Sequence, residues 1–319
     1  MADVENLKKK ISDIIDNFSG VKLFFFVKKD NQIQTLESKV KNDALTKLKE
    51  GIILRLKEDV IENEELSTPL LSNADERKNA LYLFDYDEKD HPEEFDWLKQ
   101  AKLTPPDNQK FYNVSDDFSD IHAMAIVLYG NNSSIALYKH KYNLTILKQT
   151  PKALNLFGYR DGLEEIKSDV LKIDFGFELL LIDDEFYVKN IRTLETSMRF
   201  HEVITKSSNA AIELIKEIDI LEDCQYIEKR SKEIAFARKL AKISKHSPVL
   251  GKVDVADIIR FAGKHEYLST KLITNEDGDK FIVKTRAEQK YFIKLLSDDY
   301  LDSELTELKY ESLAKDILG

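Results

Sequence analysis

Basic residues, the side chains that bind phosphate groups, are concentrated in one stretch of the sequence, between Lys229 and Lys245. This stretch contains seven lysines and arginines against a single acid, Glu233. At about 100° per residue in a helix, five of them fall within an arc of about 140°: Lys232, Arg238, Lys239, Lys242 and Lys245. Apolar residues occupy the other side. The pattern predicts an amphipathic helix whose polar face carries no acid.

An unmixed basic face is destabilising by itself, because like charges three and four residues apart on a helix repel. It therefore indicates a ligand of opposite charge, and DNA, anionic lipid and an acidic segment of the same chain are all candidates. The stretch has no groove-reading motif, so lysines here would contact phosphates and not base edges. Binding to DNA would then be sequence-tolerant and strongly salt-dependent.

A second set of cations is formed by Arg192, Arg199 and Lys206, which recur every seven residues. They lie nearly in line along a long helix predicted over residues 193–219. They would extend the basic surface or form the ordinary solvated side of that helix.

A third set is Lys139 and Lys141, on a strand predicted over residues 134–142. Because side chains alternate along a strand, both lysines share one face. A solvated face is the ordinary interpretation. The neighbouring Tyr138 and Tyr142 allow another, in which the lysines hold a phosphate backbone and the rings stack on bases.

No motif in the sequence predicts catalysis. There is no Gly-rich phosphate loop, no Gly-x-Ser-x-Gly turn and no His-Glu-x-x-His, and the six histidines lack metal-ligand spacing. The sequence Asn275–Asp279 resembles a calcium loop but lacks its terminal glutamate. We therefore predict no catalytic residue, no bound metal and no cofactor.

One acidic cluster keeps a metal-dependent nuclease open as an alternative. Asp183, Asp184 and Glu185 are the residue types with which such enzymes hold divalent cations. They also stand between two apolar runs, where an Asp-Asp pair is ordinary turn chemistry.

The net charge of −10 is unevenly distributed along the chain. Residues 57–120 contain seven basic and eighteen acidic residues, and 85–96 alone contain seven acids against one lysine. A solvated loop is the simple interpretation. A docking surface for a basic partner, or a mimic of phosphate charge, is the alternative.

Composition defines the broad class of protein. Hydrophobic residues make up 42% of the chain, enough for a sizeable core. No apolar run is long enough to span a bilayer, and residues 1–10 lack the apolar region of a signal peptide. The single cysteine, Cys224, excludes an intramolecular disulfide. We expect a cytoplasmic protein.

Hydrophobic periodicity predicts an α+β fold: a mainly antiparallel sheet with packed helices in the first part and a helix-rich second part. The predicted strands are 21–27, 80–84, 122–129, 134–142, 173–182 and 185–190. The predicted helices are 4–17, 42–61, one containing Trp97, 193–219, 226–245, 253–263, 286–297 and 303–317, with a hairpin at 272–283. The domains would be a sheet-rich 1–190, with the acidic segment 57–120, and a helical 191–319, with the basic helix 226–245.

Three sequences support a family resemblance: the hairpin Phe175–Asn190, the helix entered through Met198-Arg-Phe-His-Glu202, and the segment Lys294–Thr306. Over roughly residues 120–317 the chain resembles the KwaB family, the cytosolic component of the bacterial Kiwa anti-phage defence system. The motifs that carry the resemblance are structural.

The resemblance implies an anti-phage protein that acts with a membrane-embedded partner, KwaA. It also implies DNA binding that obstructs phage replication or transcription. We accordingly expect a non-enzymatic, DNA-binding homo-oligomer, a dimer in the simplest case, recruited to the inner face of the membrane. The alternatives are a metal-dependent nuclease and a protein-docking subunit without nucleic-acid contact.

Overall fold

The computed structural model describes residues 4–30, 32–74, 77–103, 110–113, 117–141, 146–147, 154–159, 162–302 and 309–311. The chain divides into two compact units. The first comprises Met1–Pro69, Asn79–Phe84 and His91–Met198. The second comprises Leu70–Lys78, Asp85–Asp90 and Arg199–Gly319, so two short stretches of the predicted acidic segment belong to it.

The helices of the described residues are α1 (Val4–Asp16), α2 (Asn42–Leu56), α3 (Glu93–Leu103), α4 (Ile191–Thr196), α5 (His201–Glu217), α6 (Gln225–Arg230), α7 (Ile234–His246), α8 (Val255–Lys264) and α9 (Arg286–Leu296). The strands of the first unit are β1 (Gly20–Lys29), β2 (Gln32–Ser38), β3 (Tyr82–Leu83), β4 (Ile121–Tyr129), β5 (Ser134–His140), β6 (Ile146–Leu147), β7 (Leu156–Tyr159), β8 (Gly162–Glu165), β9 (Val170–Leu171), β10 (Leu179–Ile182) and β11 (Glu185–Val188). Those of the second are β12 (Ile273–Thr274), β13 (Phe281–Ile282), β14 (Tyr300–Asp302) and β15 (Lys309–Glu311).

The first unit is built on a seven-stranded sheet in the order β2-β1-β4-β5-β10-β11-β3, and its neighbouring strands are antiparallel. Alternate residues of β1 serve two layers, because successive side chains point to opposite faces. Phe25 packs in one core cluster with residues of α1 and α2. Phe26 faces the other way, where its ring lies 5.7 Å from Trp97 of α3. The predicted α+β class is confirmed.

The hairpin of β10 and β11 is confirmed. The register pairs Ile182 with Glu185, so the loop is the two residues Asp183 and Asp184. Both have positive φ, 49° and 70°, as the tight turn between right-twisted strands requires.

Two predicted strands are shorter than expected. Residues 173–178 are irregular, because the Asp174 carboxylate accepts from the Gly176 amide at 3.0 Å and turns the chain. Ile173 and Phe175 are half-buried against the core, so the alternation came from packing and not from pairing. The strand predicted over 80–84 is the two-residue edge strand β3.

The second unit has a helical core to which α5, α7, α8 and α9 contribute. The hairpin predicted over 272–283 is present as β12 and β13. The helix predicted over 303–317 is wrong at 309–311, which form β15 paired with β14. The remainder of that prediction, 303–308 and 312–317, lies outside the described residues.

The long helix predicted over 193–219 is broken between α4 and α5. Met198 and Phe200 are both buried, and residues two apart point to opposite sides of a helix. The chain therefore leaves helical geometry between them, at Arg199, where φ is 56°. Arg192, Arg199 and Lys206 consequently do not share one helix.

The basic helix predicted over 226–245 is likewise two helices, α6 and α7, separated by Ser231–Glu233. Ile227 and Phe236 are both buried, and nine residues correspond to about half a turn around a continuous helix. The break lets both side chains enter the core. It places Lys232 in the turn and not on the helix that carries the other four cations.

Candidate nucleic-acid interface

Helix α7 presents cations on one side and core residues on the other. Its buried side includes Phe236, Leu240 and Ile243, which belong to the core of the second unit. Of the predicted cations on α7, Lys239 and Lys245 are exposed, and Arg238 and Lys242 are half-buried. The amphipathic character predicted from the sequence is confirmed for α7.

Helix α9 adds two lysines that the sequence analysis missed. Lys294 is 7% exposed, and burial lowers the pKa of its ammonium group. The charge of Lys290 lowers the same pKa, Asp299 opposes the shift, and Lys239 lowers it further. Lys239 and Lys290 therefore lie near enough to Lys294 for their charges to act on it. The four-residue spacing of Arg286, Lys290 and Lys294 was the sequence signal for this arrangement.

We call five cations of these two helices the basic face: Arg238, Lys239, Lys242, Lys290 and Lys294. Within the described part of the chain, no residue forms an ion pair with Lys239 or Lys290, and both side chains are exposed. Lys232 and Arg199 are also exposed and belong to the same unit.

Lys139 is placed differently from the prediction of a solvated strand face. It is 6% exposed, and its ammonium group forms an ion pair with Asp174 and donates to the carbonyl oxygen of Gly176 at 3.3 Å. The expectation that Lys139 is exposed is therefore wrong. The tight turn at Asp174 supplies a counter-charge that strand periodicity does not reveal.

Lys141 and Arg192, two further predicted contacts, lie in the first unit. Lys141 follows the end of β5 and donates to the carbonyl oxygen of Ser119. Arg192 is exposed on α4. Their role in binding stays a prediction, and Tyr142, the ring predicted beside Lys141, lies outside the described residues.

The far end of α7 is already in contact with an acidic stretch of its own chain, Asp85–Asp90. The ammonium group of Lys245 lies 3.8 Å from the centre of the Tyr86 ring. The pKa of Asp87 is lowered chiefly by its hydrogen bond to Lys89, and the charges of Lys245 and Lys206 lower it further. At this end the positive charge is thus partly balanced.

A serine, an aspartate and a histidine meet beneath the same contact. Ser72 donates to the Asp85 carboxylate, because an ionised carboxylate only accepts. The Ser72 oxygen lies 2.6 Å from His246 Nε2, which must then be the donor. In a catalytic triad the histidine stands between the other two and takes the serine proton. Here the serine is in the middle, so the group fastens Asp85–Asp90 to α7.

Two of the acids at 183–185, Asp183 and Glu185, have a structural partner. The Lys10 ammonium lies 2.8 Å from Asp183 and 3.8 Å from Glu185.

Asn275, in the predicted calcium-like loop, accepts from the amides of Asp279 and Lys280 at 3.0 and 3.2 Å, which closes the turn. Across the described residues, no group of three or more acids, histidines or cysteines is arranged to hold a metal ion.

A pocket of about 390 Å³ lies in the first unit and is lined by Gly51, Leu54, Arg55, Glu58, Asp174, Phe175 and Gly176. Its arginine is engaged internally, at 2.8 Å from Asp59 and 3.5 Å from Glu58. The pocket therefore offers an anion no unbalanced charge.

Among the described helices, none is both long and apolar enough to cross a membrane. Fold and surface together define a two-unit α+β protein whose second unit carries a basic helical face.

Comparison with known proteins identifies the family. Residues 118–306 match the family described as Kiwa protein KwaB-like. The chain is 47% identical over 315 residues to Kiwa protein KwaB of Escherichia coli O55:H7, with 98% of each chain covered. No solved structure matches. The chain belongs to the KwaB family of the Kiwa anti-phage defence system, as the resemblance in its sequence indicated.

Proposed function

We propose that this protein defends against phage by binding duplex DNA through the basic face of its second unit. The observation that carries the proposal is the pair Lys239 and Lys290, two exposed cations of different helices that jointly lower the pKa of Lys294 and have no ion-pair partner among the described residues. Such like charges repel until a polyanion lies against them.

The contacts would be to phosphates and not to base edges, since neither α7 nor α9 belongs to a recognised groove-reading motif. Lys232, Lys245 and Arg199 would extend the contact at its margins. Bound along phage DNA without sequence preference, the protein would obstruct replication or transcription.

Fluorescence anisotropy with a labelled duplex across a salt series tests the proposal. The double variant Lys239→Glu/Lys290→Glu changes two exposed side chains without breaking an ion pair. Because each phosphate contact contributes about 0.9 to the slope of log affinity against log salt, we expect the slope to fall by about 2 and the affinity by tenfold or more at roughly 0.1 M salt.

The matched control is Lys9→Glu/Lys47→Glu, which makes the same charge change at exposed sites of α1 and α2 in the first unit. It should leave the slope nearly unchanged. Equal losses in both double variants would mean that net charge and not the basic face governs binding. Absence of duplex binding by the unaltered protein would remove the proposal.

A protein-docking role is the second candidate, favoured by the contact between Lys245 and Tyr86 in an acidic stretch. That contact supports the proposal, because this end of α7 already packs against an acidic segment of its own chain. Recruitment to the membrane by KwaA, and homo-oligomer formation, belong to this proposal. Co-purification with KwaA that survives nuclease digestion, but is lost in Lys239→Glu/Lys290→Glu, would favour docking over DNA.

A further inference from the structure

An aromatic group in the second unit consists of two exposed rings, Phe261 on α8 and Tyr267 in the loop that follows it, and the half-buried Tyr291 of α9. Phe261 is 41% exposed and Tyr267 is 43% exposed. The rings of Tyr267 and Tyr291 are 5.8 Å apart and nearly perpendicular, and their hydroxyl groups are 3.3 Å apart. Large exposed rings in one region of the surface indicate a binding surface, because water solvates them poorly.

Buried residues hold these rings in place. His265 is 6% exposed, and its ring lies 5.6 Å from Phe261 and 5.6 Å from Tyr300. Tyr300 is also buried and lies 6.4 Å from Tyr267. The exposed rings therefore rest on a packed layer, which reduces the conformational entropy that a ligand would have to remove.

Cations surround the aromatic group. The Lys271 ammonium lies 5.8 Å from the centre of the Tyr267 ring. Lys264 is exposed in the last turn of α8, and Lys290 is exposed next to Tyr291 on α9. The same segments also contain acids, among them Glu266, Asp298 and Asp299.

The aromatic group is continuous with the basic face. Lys290 belongs to the basic face and directly precedes Tyr291 in α9. Burial lowers the pKa of Lys294 and raises that of the Tyr300 hydroxyl, and the charge of Asp299 acts on both, so both groups lie near this carboxylate. Exposed rings together with cations are the combination that binds a nucleic-acid strand whose bases are unpaired: rings stack on bases and lysines contact the phosphates.

We propose that Phe261 and Tyr267 stack on unpaired bases of single-stranded DNA, while Lys264, Lys271 and Lys290 contact its phosphates. This deepens the proposed function and rests on it. The preferred DNA would contain a single-stranded region beside a duplex, as at a replication fork, with the duplex on the basic face. Stacking tolerates any base, so the site would not distinguish sequences.

The test uses the full-length protein and three labelled probes. One is a single-stranded dT oligomer of about twenty nucleotides, longer than the ~4–16 nucleotides that one single-strand-binding fold covers. The others are a blunt duplex and the same duplex with a dT tail. We expect the tailed duplex to bind more tightly than the blunt one.

The double variant Phe261→Ala/Tyr267→Ala should weaken binding of the dT oligomer by roughly tenfold or more, since stacking on one aromatic side chain contributes about a fivefold to hundredfold difference in affinity. Its affinity for the blunt duplex should change less than about twofold. Phe261→Ala/Tyr267→Phe keeps one ring and should recover part of the loss, which separates stacking from the Tyr267 hydroxyl.

Phe111→Ala is the matched control, because that ring is 49% exposed in the first unit and also has a lysine ammonium, Lys39, 4.5 Å from its centre. It should bind all three probes like the unaltered protein. Circular dichroism and thermal unfolding check that each variant is folded.

Several results would overturn the proposal. Equal binding of dT by the double variant and the unaltered protein would remove it while leaving duplex binding intact. A change in oligomeric state by light scattering, without loss of dT binding, would make the rings a contact between protein chains. If the unaltered protein binds none of the three probes, the proposed function fails together with this inference.

Discussion

The sheet of the first unit and the basic face of the second unit treat their lysines in opposite ways. On the sheet, the ammonium groups of Lys139 and Lys189 form ion pairs with Asp174 and Asp59. On the basic face, Lys239 and Lys290 stand beside Lys294 and lower its pKa. The paired lysines of the sheet stabilise the fold, whereas Lys239 and Lys290 create a positive potential that attracts an external anion. The difference shows that a lysine-rich stretch indicates a binding surface only once the carboxylates that pair with its lysines have been located.

The largest effect that this comparison predicts is on stability. Lys139→Ala should lower the free energy of unfolding by about 2 kcal/mol, because it removes a buried stem and an ion pair; Asp174 is 64% exposed and stays solvated, which keeps the loss below the 3–5 kcal/mol of a fully buried pair. Lys239→Ala should change it by less than about 0.5 kcal/mol. Urea unfolding measures both, and similar values would erase the distinction.

The hairpin turn offers the next largest effect. Asp184 has φ of 70°, a conformation that glycine adopts without strain, and the Lys10 ion pairs involve its neighbours Asp183 and Glu185. Asp184→Gly should therefore raise the free energy of unfolding by about 0.5 kcal/mol. Lost stability in urea would mean that this carboxylate does more than complete a turn. Plasmid cleavage in Mg²⁺ that disappears in the variant would revive the nuclease alternative.

A smaller gain is expected on the basic face. Lys290→Gln removes one of the like charges around Lys294 and should raise the free energy of unfolding by about 0.3 kcal/mol at low ionic strength. Added salt should abolish the gain, because it screens exposed charges. A gain that persists in high salt would point to helix propensity and not to repulsion.

The smallest effect is on the pH dependence of stability. Burial lowers the pKa of His122 and of His140, and Lys141 lowers both further. Above the ordinary histidine pKa of 6.5, both rings are neutral whether the chain is folded or unfolded. As the pH falls below 6.5, the unfolded chain takes up protons that the folded one resists, so stability falls with pH.

His140→Gln should flatten this decline, as followed by urea unfolding in steps between pH 7 and pH 5. In the second unit burial also lowers the pKa of His246, but the charge of Asp85 opposes that shift. His246→Gln should therefore flatten the decline less. A steeper decline in either variant would contradict the assigned direction of the shift.

Much of the fold could be predicted from the sequence, because local patterns determine it. The strands around Phe25, the hairpin at Asp183-Asp184 and the amphipathic α7 follow from periodicity and turn chemistry. The helix breaks at Arg199 and at Ser231–Glu233 could not be predicted from the sequence, because they arise from burying Phe200 and Ile227 against other elements. Local propensity carries no record of those partners.

The candidate site was only partly predictable. The cations of α7 follow from the helical wheel, but Lys290 and Lys294 join them through the packing of α9. The burial of Lys139 depends on Asp174, 35 residues further along the chain. The charge pattern of one helix or strand predicts a basic surface. Whether acids neutralise that surface depends on contacts between residues distant in sequence.

The polypeptide crosses between the two units after Pro69, Lys78, Phe84, Asp90 and Met198. Ser72 thus leaves the ribosome long before its partner His246, from which 174 positions separate it. Contacts between residues so far apart in the sequence slow folding. Because the chain crosses between the units several times, no single cut would release the two units as independent fragments. A fragment that begins at Arg199 would contain α7 but would lack the Ser72 hydroxyl and the Tyr86 ring, which contact the last turn of α7.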